Sequence, residues 1–211
     1  MLKVERTSVM NLENAMRGAR NPLNSWARSD SYYDEDGNYV LGPNDLSLAK
    51  RLRLAGSDHR KYVRQIFVCC DVTAPLYWWK EYDTYKVGTV KNSCSKMHKI
   101  HVKPFNYNDF THEGIDEVTK ENSRVKSVFY SCIDTLEWLR VKFNETQEKK
   151  YWRALIEMLP ESYNMRATVL TNYQVLKTMY HARKNHKLDE WHNFCRWCET
   201  LPYFKEVCID D

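Results

Sequence analysis

LPESYNMRATVLTNYQVLKTMYHARKNHKLDEW occupies residues 159–191, and its punctuation sets the frame for the rest of the chain. Pro160 lacks an amide N–H and restricts the residue before it, so it ends a helical run that starts near Lys149. Further on, TNYQVLKTMYHARK reads as a helix, and LDEWHNFCRWCETL, after Lys187, reads as another. The first of these ends in the basic run HARKNHK, residues 181–187, where the helix dipole favours cations. Arg183 also follows a stretch containing Asn172, Gln174 and Tyr180. A guanidinium in such company suits bidentate contact with a phosphate or the edge of a pyrimidine ring. Asn172 stands twelve residues after Pro160, and Arg183 eleven after Asn172.

Upstream, Asn11 is placed to cap a short helix reaching about Arg20, followed by a turn-rich stretch. Asp45 is expected to start a helix, DLSLAKRLRLA, that brings Leu46, Leu48, Leu52 and Leu54 to or near one side and stops at Gly56. QIFVCCDV is a short apolar run rich in β-formers and reads as a buried strand. Thr73 and Pro75 then read as the cap and first turn of a helix carrying LYWWKEYDTYK. Trp78 to Tyr82 would be packing residues of that helix. A loop from Gly88 to Lys96 would follow, offering backbone N–H groups, Ser95 and lysines to a phosphate. Residues 121–145 have Val125, Val128, Phe129, Cys132, Leu136, Leu139 and Phe143 at helical spacing. Helices dominate and strands are few, which makes the class α+β.

At 211 residues, with 43% hydrophobic and 13% aromatic side chains, the chain is expected to fold as one globular domain, 1–211. A formal charge of +4 is too small to imply nucleic acid, although local clusters can still hold phosphate. The charged start has no secretory core and no apolar run is long enough for a membrane span. The seven cysteines, an odd number, fit a reducing compartment, so the expected location is cytoplasmic. Cys195 and Cys198, with His192, resemble half a zinc site. No second ligand pair with finger-like spacing exists, and Trp191, Phe194 and Trp197 surround them, so they are expected to be packed hydrophobes with no metal. The six glycines are scattered and match neither GxGxxG nor the phosphate-binding P-loop. A nucleotide or flavin would therefore not be held by a Rossmann crossover.

The order of these pieces resembles the flavin-dependent thymidylate synthases over most of the chain. In that family a glycine-histidine element leads into a strand, as Gly56 and His59 precede QIFVCCDV here. A helix follows, ending in the signature RHRxxSxNxxSxR; near the C-terminus come Leu-Pro, an asparagine, an arginine and a short acidic helix. Leu159-Pro160, Asn172, Arg183 and LDEW reproduce the last series with its intervals. The signature is worn. With Asn92 on its asparagine and Ser95 on its second serine, the RHR triplet falls on Tyr85, Lys86 and Val87. Val90 takes the first serine's place and Met97 that of the final arginine. Where the family has an arginine shortly before Leu-Pro, this chain has Glu157, with Arg153 one helical turn earlier.

The resemblance implies helices around a small, mostly antiparallel sheet, and conversion of dUMP to dTMP. FAD recharged by NADPH would supply hydride, and methylenetetrahydrofolate the carbon. No protein nucleophile is required, because cations bind the phosphate and favour negative charge on the uracil ring. Arg183 is the implied catalytic residue; Ser95, Lys86, Lys91, Arg153 and Arg183 are the implied substrate-binding set, and His59, Asn92 and Asn172 the cofactor-binding set. The family's homotetrameric assembly, with sites where subunits meet, is implied as well. Two other readings stand beside this one: a nucleotide- or flavin-binding protein of the same fold without turnover, and a nucleic-acid binder that stacks bases on Trp78, Trp79 and Tyr82.

Overall fold

The computed structural model describes residues 1–209. The elements run β1 (Lys3–Met10), α1 (Leu12–Arg20), β2 (Tyr32–Tyr33), β3 (Tyr39–Val40), α2 (Pro43–Leu54), β4 (Phe67–Pro75), α3 (Leu76–Tyr82) and β5 (Val90–Ser93). They continue with α4 (Lys96–Lys99), α5 (Glu113–Thr119), α6 (Arg124–Thr146), α7 (Lys149–Met158), β6 (Asn164–Asn172), α8 (Tyr173–Arg183), α9 (Asp189–Glu199) and α10 (Phe204–Cys208). The larger sheet is ordered β1-β4-β6-β5, and β2 pairs antiparallel with β3 as a separate ribbon. The class is α+β, as the sequence implied.

Packing divides the chain into two compact units. One comprises residues 1–3, 72–84 and 92–167. Its core joins Ile133, Leu136 and Leu139 of α6 with Leu155 of α7 and with Ile100, Phe105 and Phe110. Phe129, Cys132 and Tyr163 pack against that cluster. Trp78, Trp79 and Tyr82 belong to the same unit and are almost wholly buried, at 0%, 2% and 1% exposure. Their rings lie 5.0–5.2 Å apart, mostly edge to face, the arrangement favoured by aromatic quadrupoles. The Trp79 indole Nε1–H donates to the Met165 carbonyl at 2.9 Å, which satisfies a polar atom that burial would otherwise penalise.

The other unit comprises residues 4–71, 85–91 and 168–211. Tyr62, Ile66, Tyr173, Leu176, Trp191, Phe194 and Phe204 are buried in it. A charged pair is buried as well: Arg20 Nε donates to Asp45 Oδ1 at 2.6 Å, while the hydroxyls of Ser29 and Ser31 donate to Asp45 Oδ2. The Asp45 amide in turn donates to Asp30 Oδ1 at 3.1 Å, stitching the turn-rich segment to α2.

Several local expectations change. Asn11 flanks α1 with left-handed backbone (φ 71°), but its side chain does not cap the helix. Instead Nδ2 donates to the Gln65 carbonyl and Oδ1 accepts from Asn14. Helix α2 starts at Pro43, whose fixed φ and missing N–H suit a first turn, so Asp45 lies inside the helix rather than starting it. Thr73 and Pro75 close strand β4, and α3 is limited to seven residues. The stretch from Gly88 to Lys96 is not an open loop: Gly88 turns the chain (φ 79°), Val90–Ser93 form β5, and Ser95 caps α4. Strands β1 and β6 were not anticipated.

Candidate functional site

In the unit holding residues 92–167, a cavity of about 620 Å³ lies among the Cys94–Ser95 turn, α4, the segment to Asp109 and the start of β6. That volume falls in the range of small-molecule sites. Lys96, Lys99, Lys103 and Arg166 bring four cations to its wall against the single carboxylate of Asp109. Asp109 already accepts from the Asn106 amide at 2.8 Å and closes a capping box, so it serves the turn it sits in. Among the described residues, neither Lys99 nor Lys103 is in an ion pair. Ile100, Phe105, Tyr163 and Met165 give the cavity an apolar floor. An anionic group bound at the wall, joined to a flat apolar body on the floor, satisfies both halves.

The local sequence explains this geometry. Ser95 Oγ accepts the His98 amide at 3.2 Å, the usual service of a serine before a helix, and so starts α4 where the lysines begin. The Cys94 amide donates to the Arg166 carbonyl at 3.0 Å, which fixes the lysine segment beside β6. Ser95 therefore lies on the cavity wall, with its hydroxyl also acting as a cap. Asn92 is exposed on β5. Arg153 is exposed on α7, where its Nε donates to Glu157 at 2.7 Å, so the cation expected to replace a family arginine is paired with the residue occupying that arginine's position. Trp78, Trp79 and Tyr82 are core residues, which removes the base-stacking platform required by the nucleic-acid reading.

In the unit holding residues 168–211, Arg183 closes α8 and lies beside two aromatic rings that meet edge to face. Its guanidinium carbon is 5.0 Å from the centroid of Trp191 and 5.7 Å from that of Tyr85, and its Nε donates to the Tyr85 hydroxyl at 3.0 Å. Asn172 caps α8 by accepting the Val175 amide through Oδ1 at 3.1 Å. Its Nδ2 lies 3.0 Å from where a Cβ on Gly88 would stand, so close approach as well as positive φ requires glycine there. His59 is exposed in the turn after α2, Lys86 is exposed ahead of Gly88, and Lys91 is half-buried on β5. Tyr85, Asn172 and Arg183 thus fall near the start or end of α8 and its neighbours, whereas His59 stands on a turn of its own.

Cys195 and Cys198 are buried at 5% and 0% exposure, placed as packed hydrophobes on α9. Burial pushes the Cys195 thiol up to about 11 and the Cys198 thiol well above its usual value, both unfavourable to thiolate chemistry at neutral pH. Lys103, Arg166 and Tyr163 were missed as candidate residues, because the cavity joins segments far apart in the chain and no single window shows the grouping. The lysine spacing along 96–103 was the available signal.

No protein-family model and no curated protein matches the sequence. Solved structures do match over the full length. A flavin-dependent thymidylate synthase from Helicobacter pylori, complexed with FAD and dUMP, is 17% identical with a TM-score of 0.68, covering 99% of this chain and 98% of its own. Another structure from the same organism with FAD and dUMP gives 17% identity and a TM-score of 0.69, with 100% of both chains covered. With four cations lining a cavity at Ser95, and Asn172 and Arg183 bracketing α8, the chain has the fold of the flavin-dependent thymidylate synthases.

Proposed function

We propose that residues 1–211 act as one divergent FAD-dependent thymidylate synthase domain that binds dUMP and converts it to dTMP. The observation carrying this reading is the cavity beside Ser95, where Lys96, Lys99, Lys103 and Arg166 supply the positive charge that the worn signature lacks. Phosphate would be held in this cavity by these cations and Ser95; Arg183, Lys86 and Lys91 belong to the other unit and are proposed separately as substrate-binding residues. Lysine supplies a point charge rather than a planar fork, so orientation of a nucleotide in this cavity would depend more on Arg166. Positive charge near the uracil ring favours its anionic form and raises nucleophilicity at C5.

FAD, when bound and reduced by NADPH, supplies the hydride, and methylenetetrahydrofolate the carbon. His59, Asn92 and Asn172 are each proposed as cofactor-binding residues, acting through side-chain hydrogen bonds. An imidazole and two carboxamides match the mixed donor and acceptor edge of a flavin ring. His59 and Asn92 are exposed, whereas Asn172 has Nδ2 to offer because Oδ1 caps α8. We place the protein in the cytoplasm as a homotetramer with sites completed where subunits meet. Among the described residues no helix is long and apolar enough to cross a membrane.

A second reading, binding without turnover, draws support from two features. Tyr85 puts a phenol at the first arginine position of the signature, and Arg153 is held by Glu157. The two readings separate by experiment. Both expect a yellow protein with bound flavin and a calorimetric signal with dUMP, lost in large part in Arg183→Ala. Only the first expects tritium release from C5-tritiated dUMP when FAD, NADPH and methylenetetrahydrofolate are present. A colourless wild type that binds neither FAD nor dUMP contradicts both.

A further inference from the structure

The geometry points to Tyr85 as a positioning residue for Arg183, a role that rests on the nucleotide-binding reading above and deepens it. Arg183 stands in the last turn of α8, where an arginine can instead turn back to the helix carbonyls or extend into water. Here it does neither with Nε, which donates to the Tyr85 hydroxyl at 3.0 Å. The guanidinium also lies beside the rings of Tyr85 and Trp191, its carbon 5.7 Å and 5.0 Å from their centroids.

Both rings are themselves held. Trp191 is 0% exposed, packs edge to face with Phe194 at 5.6 Å, and its amide donates to the Leu188 carbonyl at 3.0 Å. Tyr85 meets Trp191 edge to face at 6.3 Å. The turn just after Tyr85 is pinned by Gly88, whose positive φ and tight contact with Asn172 admit no side chain, and by the hydroxyl contact between Thr89 and Thr171 at 3.3 Å.

A guanidinium offers two bidentate edges, Nε with one terminal nitrogen, or the two terminal nitrogens together. Committing Nε to Tyr85 selects the second. It also fixes rotation about the last side-chain bond, so rotamer entropy that an unrestrained arginine loses on binding is already lost in the folded chain. In this chain a phenol at the first arginine position of the signature would thus act through Arg183, orienting the cation that meets the ligand rather than meeting the ligand itself.

The test is a double-mutant cycle read by dUMP calorimetry on the FAD-loaded full chain, with thermal unfolding run in parallel. Tyr85→Phe keeps the ring and removes the acceptor. It is expected to weaken dUMP binding about three- to tenfold in the wild type, the scale of one hydrogen bond. In an Arg183→Ala background it should have no effect, and the melting temperature should be unchanged. Three results would overturn the role: Tyr85→Phe binding dUMP as well as wild type, losing equal affinity in both backgrounds, or losing affinity only in proportion to lowered stability. A wild type that binds no dUMP removes the underlying reading, and the positioning role falls with it; that outcome is distinct, since it appears before any variant is made.

Discussion

Asp45→Asn removes one charge from a site where a carboxylate and a guanidinium are both buried in an ion pair, at 0% and 5% side-chain exposure. In the wild type the carboxylate accepts from Arg20 Nε at 2.6 Å, from both hydroxyls of Ser29 and Ser31, and from the Ser31 amide at 3.3 Å. Burial alone would raise the carboxyl; the Ser29, Ser31 and Arg20 hydrogen bonds outweigh it and bring the group below the usual carboxylate range. The amide substitute keeps the shape, loses one acceptor, and leaves Arg20 charged in a dry site. Breaking one side of a buried pair costs about 3–5 kcal/mol, a large share of the roughly 5–15 kcal/mol that stabilises a typical domain. Urea unfolding followed by far-ultraviolet circular dichroism at pH 7 should show that loss. Because the folded carboxyl is depressed, its contribution is complete above the unfolded value of about 3.9 and disappears as pH falls through the folded value. The gap between wild type and variant should therefore be flat from pH 7 to about 5 and shrink below about 4. A gap under about 1 kcal/mol at pH 7, or one that widens in acid, refutes the reasoning.

Other perturbations follow from single contacts. Trp79→Phe removes the donor to the buried Met165 carbonyl and should cost about 1–3 kcal/mol in the same unfolding assay. Gly88→Ala places a methyl group 3.0 Å from Asn172 Nδ2 and 3.1 Å from Val175 Cγ2 at φ 79°, and should lower stability by about 1–3 kcal/mol, measured by thermal melting. Lys99→Ala with Lys103→Ala, both on the cavity wall, should weaken dUMP binding in low salt by about tenfold, with a smaller difference at 0.5 M salt as screening takes over; equal affinity at low salt would remove both lysines from the site.

The longer helices were legible because their apolar positions recur at helical spacing and their ends carry punctuation, whereas the short α4, α5 and α10 were not read from the sequence. Pro160 follows α7 closely, Asn172 caps α8, and α9 spans the segment read from LDEW. Strand β6 was hidden for a physical reason. It alternates cleanly, with Met165, Ala167, Val169 and Thr171 buried, yet two of those four residues are small or polar, and the exposed set includes Leu170. Hydropathy therefore blurred the period of two, and the helix beginning at Tyr173 dominated the window. Strand β5 is four residues, mostly exposed, and takes its structure from pairing rather than from its own composition. Ser95 and Arg183 stand out in the sequence by residue type and interval. The cavity could not, because Arg166 and Tyr163 reach it from the far end of the chain. Nor could the contact on Arg183, where Tyr85 is a departure from the signature and became informative only through its bond to Nε.

Whether this divergent chain turns over dUMP is decided by one reaction. Tritium release from C5-tritiated dUMP, with FAD, NADPH and methylenetetrahydrofolate supplied to the wild-type protein, tests it most directly. Release is expected to require all three and to fall at least tenfold in Arg183→Ala. A folded, flavin-loaded wild type that binds dUMP and releases no tritium above the protein-free control contradicts it.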